Sequence, residues 1–403
     1  MRTRPYLRLG VAGIPFLYLI ITLGLGPGGA TYLWRLVGVP ALFPRFSDSL
    51  VITDSWDCAR RGIDVLKTNP CDPWGRPMNY PRVWLLPGHL GLGTSSTAWL
   101  AIAMVIAFLV SVYFLLGPIT PRQAIYYLLV MMSFPVMLLI ERGNNDLLVF
   151  ALLVAVAAAL SWNHRAGPFV GAALILLATA LKLYPIAAVH ALFLRLRGAQ
   201  QQLLTVAVVA IAAVYAFAMR QDLALISTST PRPAVLAYGV NVPIHRLLAD
   251  IGTLRHAQTP RWVETSATWI ALAALLVLAF ALARRLPPRQ LDLETRRGRF
   301  VGLLFSLGAS VYVLTFALGN NWDYRLAFLI LVLPQLFLWA DSPGLRSESW
   351  LALATIVASM WLAQVAAYPL FQLDQLVFYA LFAYFDAVLV ITTVNQADVH
   401  AMM

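Results

Sequence analysis

Charge is scarce in this chain. Only 12% of its 403 residues are Asp, Glu, Lys or Arg, against about 25% in a soluble globular domain. With 60% hydrophobic residues and a mean hydropathy of +0.75, it cannot cover a water-facing surface, which excludes a soluble enzyme or carrier. Lysine is scarcer still: of 29 basic residues only Lys67 and Lys182 are lysines. The arginines are strung along the chain and no RNA- or DNA-binding motif is present, so the net charge of +11 does not point to a nucleic-acid partner. There is no Gly-rich phosphate loop, which argues against direct nucleotide use. The six histidines include no i,i+4 pair, so neither a metal site nor a cofactor is expected. Cys58 and Cys71 are the only cysteines. On an oxidising face they would close a short disulfide loop, and two unpaired thiols in a polar loop fit the sequence equally well.

What the chain has is apolar runs. They cover 9–25, 96–116, 123–141, 146–162, 167–182, 184–195, 201–219, 265–283, 300–318, 326–340, 349–367 and 375–394. The pattern predicts an all-α, polytopic transmembrane helix bundle of about twelve spans, one integral-membrane domain over 1–403. Twelve crossings put both termini in the cytoplasm. They also put three arginine clusters there: Arg2, Arg4 and Arg8; Arg195 and Arg197; and Arg284, Arg285, Arg289, Arg296, Arg297 and Arg299. The first run lacks a small-residue cleavage pattern and reads as a retained helix. The stretch 167–195 is too short for two ordinary spans and Pro185 breaks it, giving either two short helices meeting at Lys182 or one kinked helix.

Long outer loops are expected at 26–95 and 220–264. In the first, Trp56, Ile63 and Leu66 are expected to lie on the membrane surface as an amphipathic interfacial helix, with Arg60, Arg61 and Lys67 toward headgroups.

Three polar hinges interrupt the apolar runs: Glu141-Arg142-Gly143-Asn144-Asn145-Asp146, Lys182-Leu183-Tyr184-Pro185, and Asn320-Asn321-Trp322-Asp323-Tyr324-Arg325. Desolvating such groups is costly, so a chain that keeps them at a membrane boundary usually uses them. Bland readings stand beside this one. Lys182 and Arg325 can snorkel to the interface, Arg142 can pair with Glu141 or Asp146, and Asn320 and Asn321 can cap helices. Asp54 and Asp57 can serve as helix N-terminal charges.

Over residues 50–340 the order of motifs resembles the GT-C superfamily of membrane glycosyltransferases, closest to the bacterial family 87 mannosyltransferase-like proteins. Ala180-Leu181-Lys182-Leu183-Tyr184-Pro185 carries the resemblance most specifically. Arg142-Gly143-Asn144-Asn145-Asp146 matches a hinge that is often Gly-Gln-Asn in that family. Asn241, within Tyr238-Gly239-Val240-Asn241-Val242-Pro243-Ile244-His245, matches an Asn-Gln-Ser segment. The chain departs at Cys58 and Cys71, where the family tends to have Tyr, at Arg82, and in lacking a His near the last hinge. The resemblance implies an inverting transfer of a hexose, such as mannose, from a polyprenyl-phosphate sugar to a glycan or glycolipid acceptor on the non-cytoplasmic face of a bacterial cell membrane.

In that scheme Asp54 is the general base, with Asp57 its competitor. Lys182, Arg142 and Arg325 hold the donor phosphate. Asn144, Asn145, Tyr184, Asn241, His245 and Asp323 bind sugar or orient the cations. The rival readings are a transporter or lipid flippase, in which broken helices line a path, and a polysaccharide polymerase or ligase.

Overall fold

The computed structural model describes residues 6–196, 199–233, 235–255, 260–364 and 370–401. Arg2, Arg4 and Arg197 lie outside them, as does the end of the 349–367 run. The chain packs into two compact units, Met1–Pro231 and Arg232–Met403.

Unit 1 holds α1 (Tyr6–Gly24), α2 (Pro27–Leu36), α3 (Ser47–Arg60), α4 (Thr97–Leu116), α5 (Pro121–Met131), α6 (Phe134–Arg142), α7 (Asp146–Leu160), α8 (Gly167–Leu181), α9 (Val189–Arg195), α10 (Ala199–Ala218) and α11 (Arg220–Ser229). Uninterrupted apolar sequence makes helices here because hydrocarbon offers the backbone no other partners. Each break has a local cause. A Thr120–Gln123 capping box with Pro121 behind it opens α5. Pro135 sits in the first turn of α6, and α5 and α6 meet at 55°. Gly143 ends α6 with φ +56, and a Cβ there would stand 2.8 Å from Ser49 Oγ, so both conformation and packing demand glycine. Lys182 leaves α8 in extended backbone (φ −152, ψ 139). Pro185, three residues on, has no N–H to continue the helix. The reading of two short pieces meeting at Lys182 therefore describes this break.

Unit 2 holds β1 (Ala237–Tyr238), α12 (Val242–Arg255), α13 (Arg261–Ala283), α14 (Arg296–Ala317), β2 (Asn321–Trp322), α15 (Leu333–Asp341), α16 (Arg346–Leu362) and α17 (Leu370–Ala401). β1 and β2 pair antiparallel, Ala237 with Trp322 and Tyr238 with Asn321. α14 and the helical segment Asp323–Asp341 are mostly buried, and the aromatic face of α14 packs on α17: Phe316 and Phe382 centroids lie 4.9 Å apart, and Tyr312 and Phe385 5.8 Å. The Arg284–Arg299 connection is pinned by Arg289, which is 1% exposed, pairs with Glu348 and donates to the Tyr384 hydroxyl at 2.9 Å.

The protein is thus helical and polytopic, apart from the two-residue strands. Helix occupies each of the twelve apolar runs, yet by length and composition six described helices can cross a membrane, or eight counting each bent pair as one span. The shortfall lies in short segments. α7 and α8 have 15 residues each, α16 has 17, and 184–195 is a five-residue 3-10 turn plus the seven-residue α9.

The interfacial helix expected in the first outer loop is corrected. α3 stops at Arg60, and Trp56 and Leu66 are 1% and 2% exposed within the protein. The Trp56 indole N–H donates to the Trp84 carbonyl. The Cys58–Cys71 disulfide and an Asn69–Ser55 hydrogen bond of 3.2 Å fold the following turn back onto α3. These internal partners draw α3 inward and leave Trp56 and Leu66 no surface to offer lipid.

Candidate functional site

In unit 1 the first two hinges come together. Lys182 and Asp146, 7% and 0% exposed, form an ion pair. Lys182 Nζ also donates to Asn144 Oδ1 at 3.1 Å, and the Tyr184 hydroxyl donates to Asp146 Oδ1 at 2.7 Å. Asn144 Oδ1 accepts from the Asp146 N–H, and its Nδ2 donates to Asp48 Oδ2 on α3 at 2.6 Å. The Lys182 ammonium lies 5.4 Å from the Tyr80 ring centroid. A buried charge needs this density of partners. Asn145 has none of it: it is fully buried, and both polar atoms of its side chain lack a hydrogen-bond partner. An unmet buried amide is expensive and marks a place for a water or a ligand hydroxyl. Arg142 turns away from Asp146. It pairs with Glu141 at 3.3 Å and donates to Ser47 Oγ and the Pro40 carbonyl, both at 3.2 Å.

The same helix α3 carries Asp54, 1% exposed. Its Oδ1 accepts from the Thr94 hydroxyl at 2.5 Å, and its Oδ2 has no hydrogen-bond partner. Burial pushes its carboxyl up to about 6, and the neighbouring Asp72 and Asp57 carboxylates push the same way, against Thr94 and Arg76. Burial also opposes ionisation of Asp57. There the Thr94 hydrogen bonds, at 2.6 Å from the hydroxyl and 2.9 Å from the N–H, and the Arg60 and Arg61 charges outweigh it and hold the carboxyl low. Of these two carboxyls, Asp54 is thus the one raised toward neutrality and Asp57 the one held low. Arg76 is gripped by Asp72 at 2.7 Å and donates to the Ser47 carbonyl at 2.8 Å. Arg82 bridges Asp64 and Asp222, both at 2.9 Å.

The remaining residues singled out in the sequence fall in unit 2. Asn241 and His245 line a cavity of about 630 Å³ together with Arg232, Arg261, Trp269 and Asn320. His245 Nδ1 lies 3.1 Å from Glu264 Oε1. The side-chain oxygens of Asn241 and Asn320 are buried without hydrogen-bond partners. Asp323 and Arg325 are not among the cavity's lining. The Asp323 N–H donates to the Leu236 carbonyl at 3.1 Å. Arg325 donates to Asn321, whose amide caps the Thr315 and Gly319 carbonyls at the end of α14.

Sequence reading missed Asp48, Thr94, Arg76, Arg232, Arg261 and Trp269. The one available signal was Trp269, a tryptophan at the polar end of an apolar helix. Among the described residues no group of three His, Cys, Asp or Glu side chains could hold a metal ion.

A buried ion-pair network, a proton-active carboxyl and polytopic helices describe a membrane protein equipped for chemistry. Residues 82–315 match the family model of glycosyltransferase family 87. The match covers more than half of the chain, and the chain belongs to that family and is a glycosyltransferase. Asp54 and Asp57 precede the matched segment, and Asp323 and Arg325 follow it. Neither a curated protein nor a solved structure matches the chain.

Proposed function

We propose that this glycosyltransferase moves a hexose, mannose being our first choice, from a polyprenyl-phosphate donor to a glycan or glycolipid acceptor. Transfer takes place at the non-cytoplasmic face of a bacterial cell membrane and inverts the anomeric centre. The observation that carries this reading is Asp54: a buried carboxyl raised to about 6 with Oδ2 unengaged. At neutral pH it is mostly ionised yet basic enough to accept a proton in the transition state. The acceptor hydroxyl attacks the anomeric carbon, its proton goes to Asp54 Oδ2, and the bond from that carbon to the phosphate oxygen breaks. The lipid phosphate departs with the electron pair.

Charge develops on the departing phosphate, and fixed cations stabilise it. Lys182, held in place by Asp146 and Asn144, takes that role in unit 1, with Arg142 beside the same hinge. Asn145, its amide unmet, and Tyr184 contact the sugar. In unit 2 the cavity with Asn241, His245, Arg232 and Arg261 suits a phosphorylated or hydroxyl-rich group, and Trp269 offers a sugar ring an apolar face. Arg325, which donates to Asn321, and Asp323 shape the third hinge, where Arg325 would hold the donor phosphate and Asp323 the sugar.

The test is transfer by purified, reconstituted protein from a synthetic polyprenyl-phosphate mannose, with the corresponding glucose lipid beside it. Radiolabel passing to an acceptor, and lost in Asp54→Asn, supports the reading. Movement of intact lipid-linked sugar across vesicles without transfer would assign the chain to transport instead.

A further inference from the structure

At the end of unit 1 remote from Lys182 lies a second cavity, of about 710 Å³. α7 leads from Asp146 to it and α8 returns from it to Leu181, each 15 residues, so it sits roughly 20 Å from the ion-pair network. Its polar side is Asn163, His164 and Arg165 from the α7–α8 turn and Arg195 from the end of α9. Phe169 and Leu203 line its apolar side.

The polar side is built rather than incidental. Arg195 Nε donates to the Leu160 carbonyl at 2.9 Å, which fixes the guanidinium at this end of α7. His164 Nδ1 accepts from the Ala166 N–H at 3.1 Å, which makes Nε2 the N–H donor of the ring. The charge here is of one sign. No Asp or Glu occurs between Asp146 and Asp222, and none lines the cavity. None of the ion pairs among the described residues involves Arg165. The apolar side faces outward: Phe169 is 65% exposed and Leu203 66%. In a chain of membrane helices such faces meet acyl chains.

We propose that this cavity binds the headgroup of an anionic phospholipid. Arg165 and Arg195 take the phosphodiester, His164 and Asn163 donate to headgroup oxygens, and the acyl chains run along Phe169 and Leu203. With two arginines and no Asp or Glu among its lining residues, the cavity favours a net-negative lipid over a zwitterionic one, whose cationic group the arginines would repel. Basic pockets between membrane helices are suited to such lipids, and guanidinium pairs well with phosphate oxygens. The site is separate from the sugar chemistry, so its test needs no transfer assay.

The full chain is reconstituted in nanodiscs of phosphatidylcholine alone or with phosphatidylglycerol. Thermal unfolding and the lipid retained in native mass spectra are then read. Phosphatidylglycerol should raise the unfolding midpoint and be retained. Arg165→Ala should weaken retention about fivefold, the worth of one basic contact with an anionic lipid. Arg165 is exposed, so this variant keeps its fold. Arg346→Ala, an exposed arginine in unit 2, should behave as wild type. Equal retention by wild type and Arg165→Ala would overturn the proposal. So would inorganic phosphate, added to phosphatidylcholine discs, reproducing the whole stabilisation, because the cavity would then be a site for free phosphate.

Discussion

Asp54 and Asp57, three residues apart on α3, rest against one hydroxyl. Thr94 Oγ1 lies 2.5 Å from Asp54 Oδ1 and 2.6 Å from Asp57 Oδ2. A hydroxyl has one proton to give, so it cannot serve both carboxylates at once. Asp57, held low by Arg60 and by the Thr94 N–H as well, is the standing acceptor. Asp54 keeps Oδ2, which has no hydrogen-bond partner, as the oxygen open to a proton. The pair thus divides into one group that titrates near neutrality and one that does not.

The pH profile should show this division. The acid limb of kcat/KM should lie near 6 in the wild type, where Asp54 loses its proton. Asp57→Asn removes a neighbouring negative charge and frees the Thr94 proton for Asp54. Both changes lower the Asp54 pKa, so the limb should move to lower pH. Asp72 and Arg76, the other charges acting on Asp54, are untouched. A limb that stays in place would break the link between the two carboxylates.

Asp54→Asn should reduce turnover by roughly 10²–10⁴-fold, the usual worth of a general base. It should also stabilise the protein at neutral pH. The folded-state pKa of Asp54, about 6, lies above the ordinary 3.8. The stability linked to its proton is therefore fully present below about pH 4 and is lost as pH rises through 6. A neutral amide removes that loss, worth at most about 3 kcal/mol. An activity-dead variant with a higher unfolding midpoint at pH 7.5 than at pH 4, each relative to wild type, is the expected pair of results. Near-normal turnover in Asp54→Asn would take the base elsewhere.

The hinges were legible because charge and glycine or proline interrupt hydrocarbon there, and such interruptions have few uses. Gly143 and Pro185 mark the breaks in sequence, and Lys182 and Asp146 prove to be partners across them. Thr94 was not legible. An ordinary threonine in a Gly-Thr-Ser-Ser turn gains its role only from Asp54, 40 residues away. Asp48 and Arg76 are the same case. α3 was misread because a spacing of Trp56, Ile63 and Leu66 looks alike whether the face meets lipid or protein, and the partner that decides, the Trp84 segment, lies 28 residues on.

The Lys182–Asp146 pair separates structure from chemistry. Lys182→Ala leaves a fully buried carboxylate without its cation, and breaking such a pair costs about 3–5 kcal/mol. Lys182→Met with Asp146→Asn removes both charges and should recover most of that stability. If Lys182 holds the donor phosphate, the double variant should fold and still fail to transfer sugar. Restored transfer would make Lys182 a structural cation only.

Topology has its own test. Gln290→Cys and Lys67→Cys place single reactive thiols on exposed positions in the arginine-rich connection and the first loop. The native cysteines, bridged, do not react. Membrane-impermeant maleimide on intact cells should label position 67 and spare position 290, because arginine-rich loops stay cytoplasmic. Labelling at 290 would invert the orientation.

Cys58 and Cys71 are joined in the structure, with Cα atoms 5.9 Å apart and 13 residues between them in sequence number. The bridge ties the last turn of α3 to the segment that carries Asp72 and Arg76, which are the charges acting on Asp54 from outside its helix. Closing a loop of this length restricts the unfolded chain by about 3 kcal/mol on the entropy model. The paired change Cys58→Ala with Cys71→Ala should therefore lower the unfolding midpoint. It should also weaken the effect of that turn on Asp54, because the turn is no longer fastened to α3. Asp72 raises the Asp54 pKa by more than Arg76 lowers it, so loosening both should move the acid limb downward, in the same direction as Asp57→Asn. The bridge itself is read by intact mass after alkylation without reductant. Fresh protein should take up no alkyl group, and two alkylated thiols would remove the disulfide and the coupling built on it.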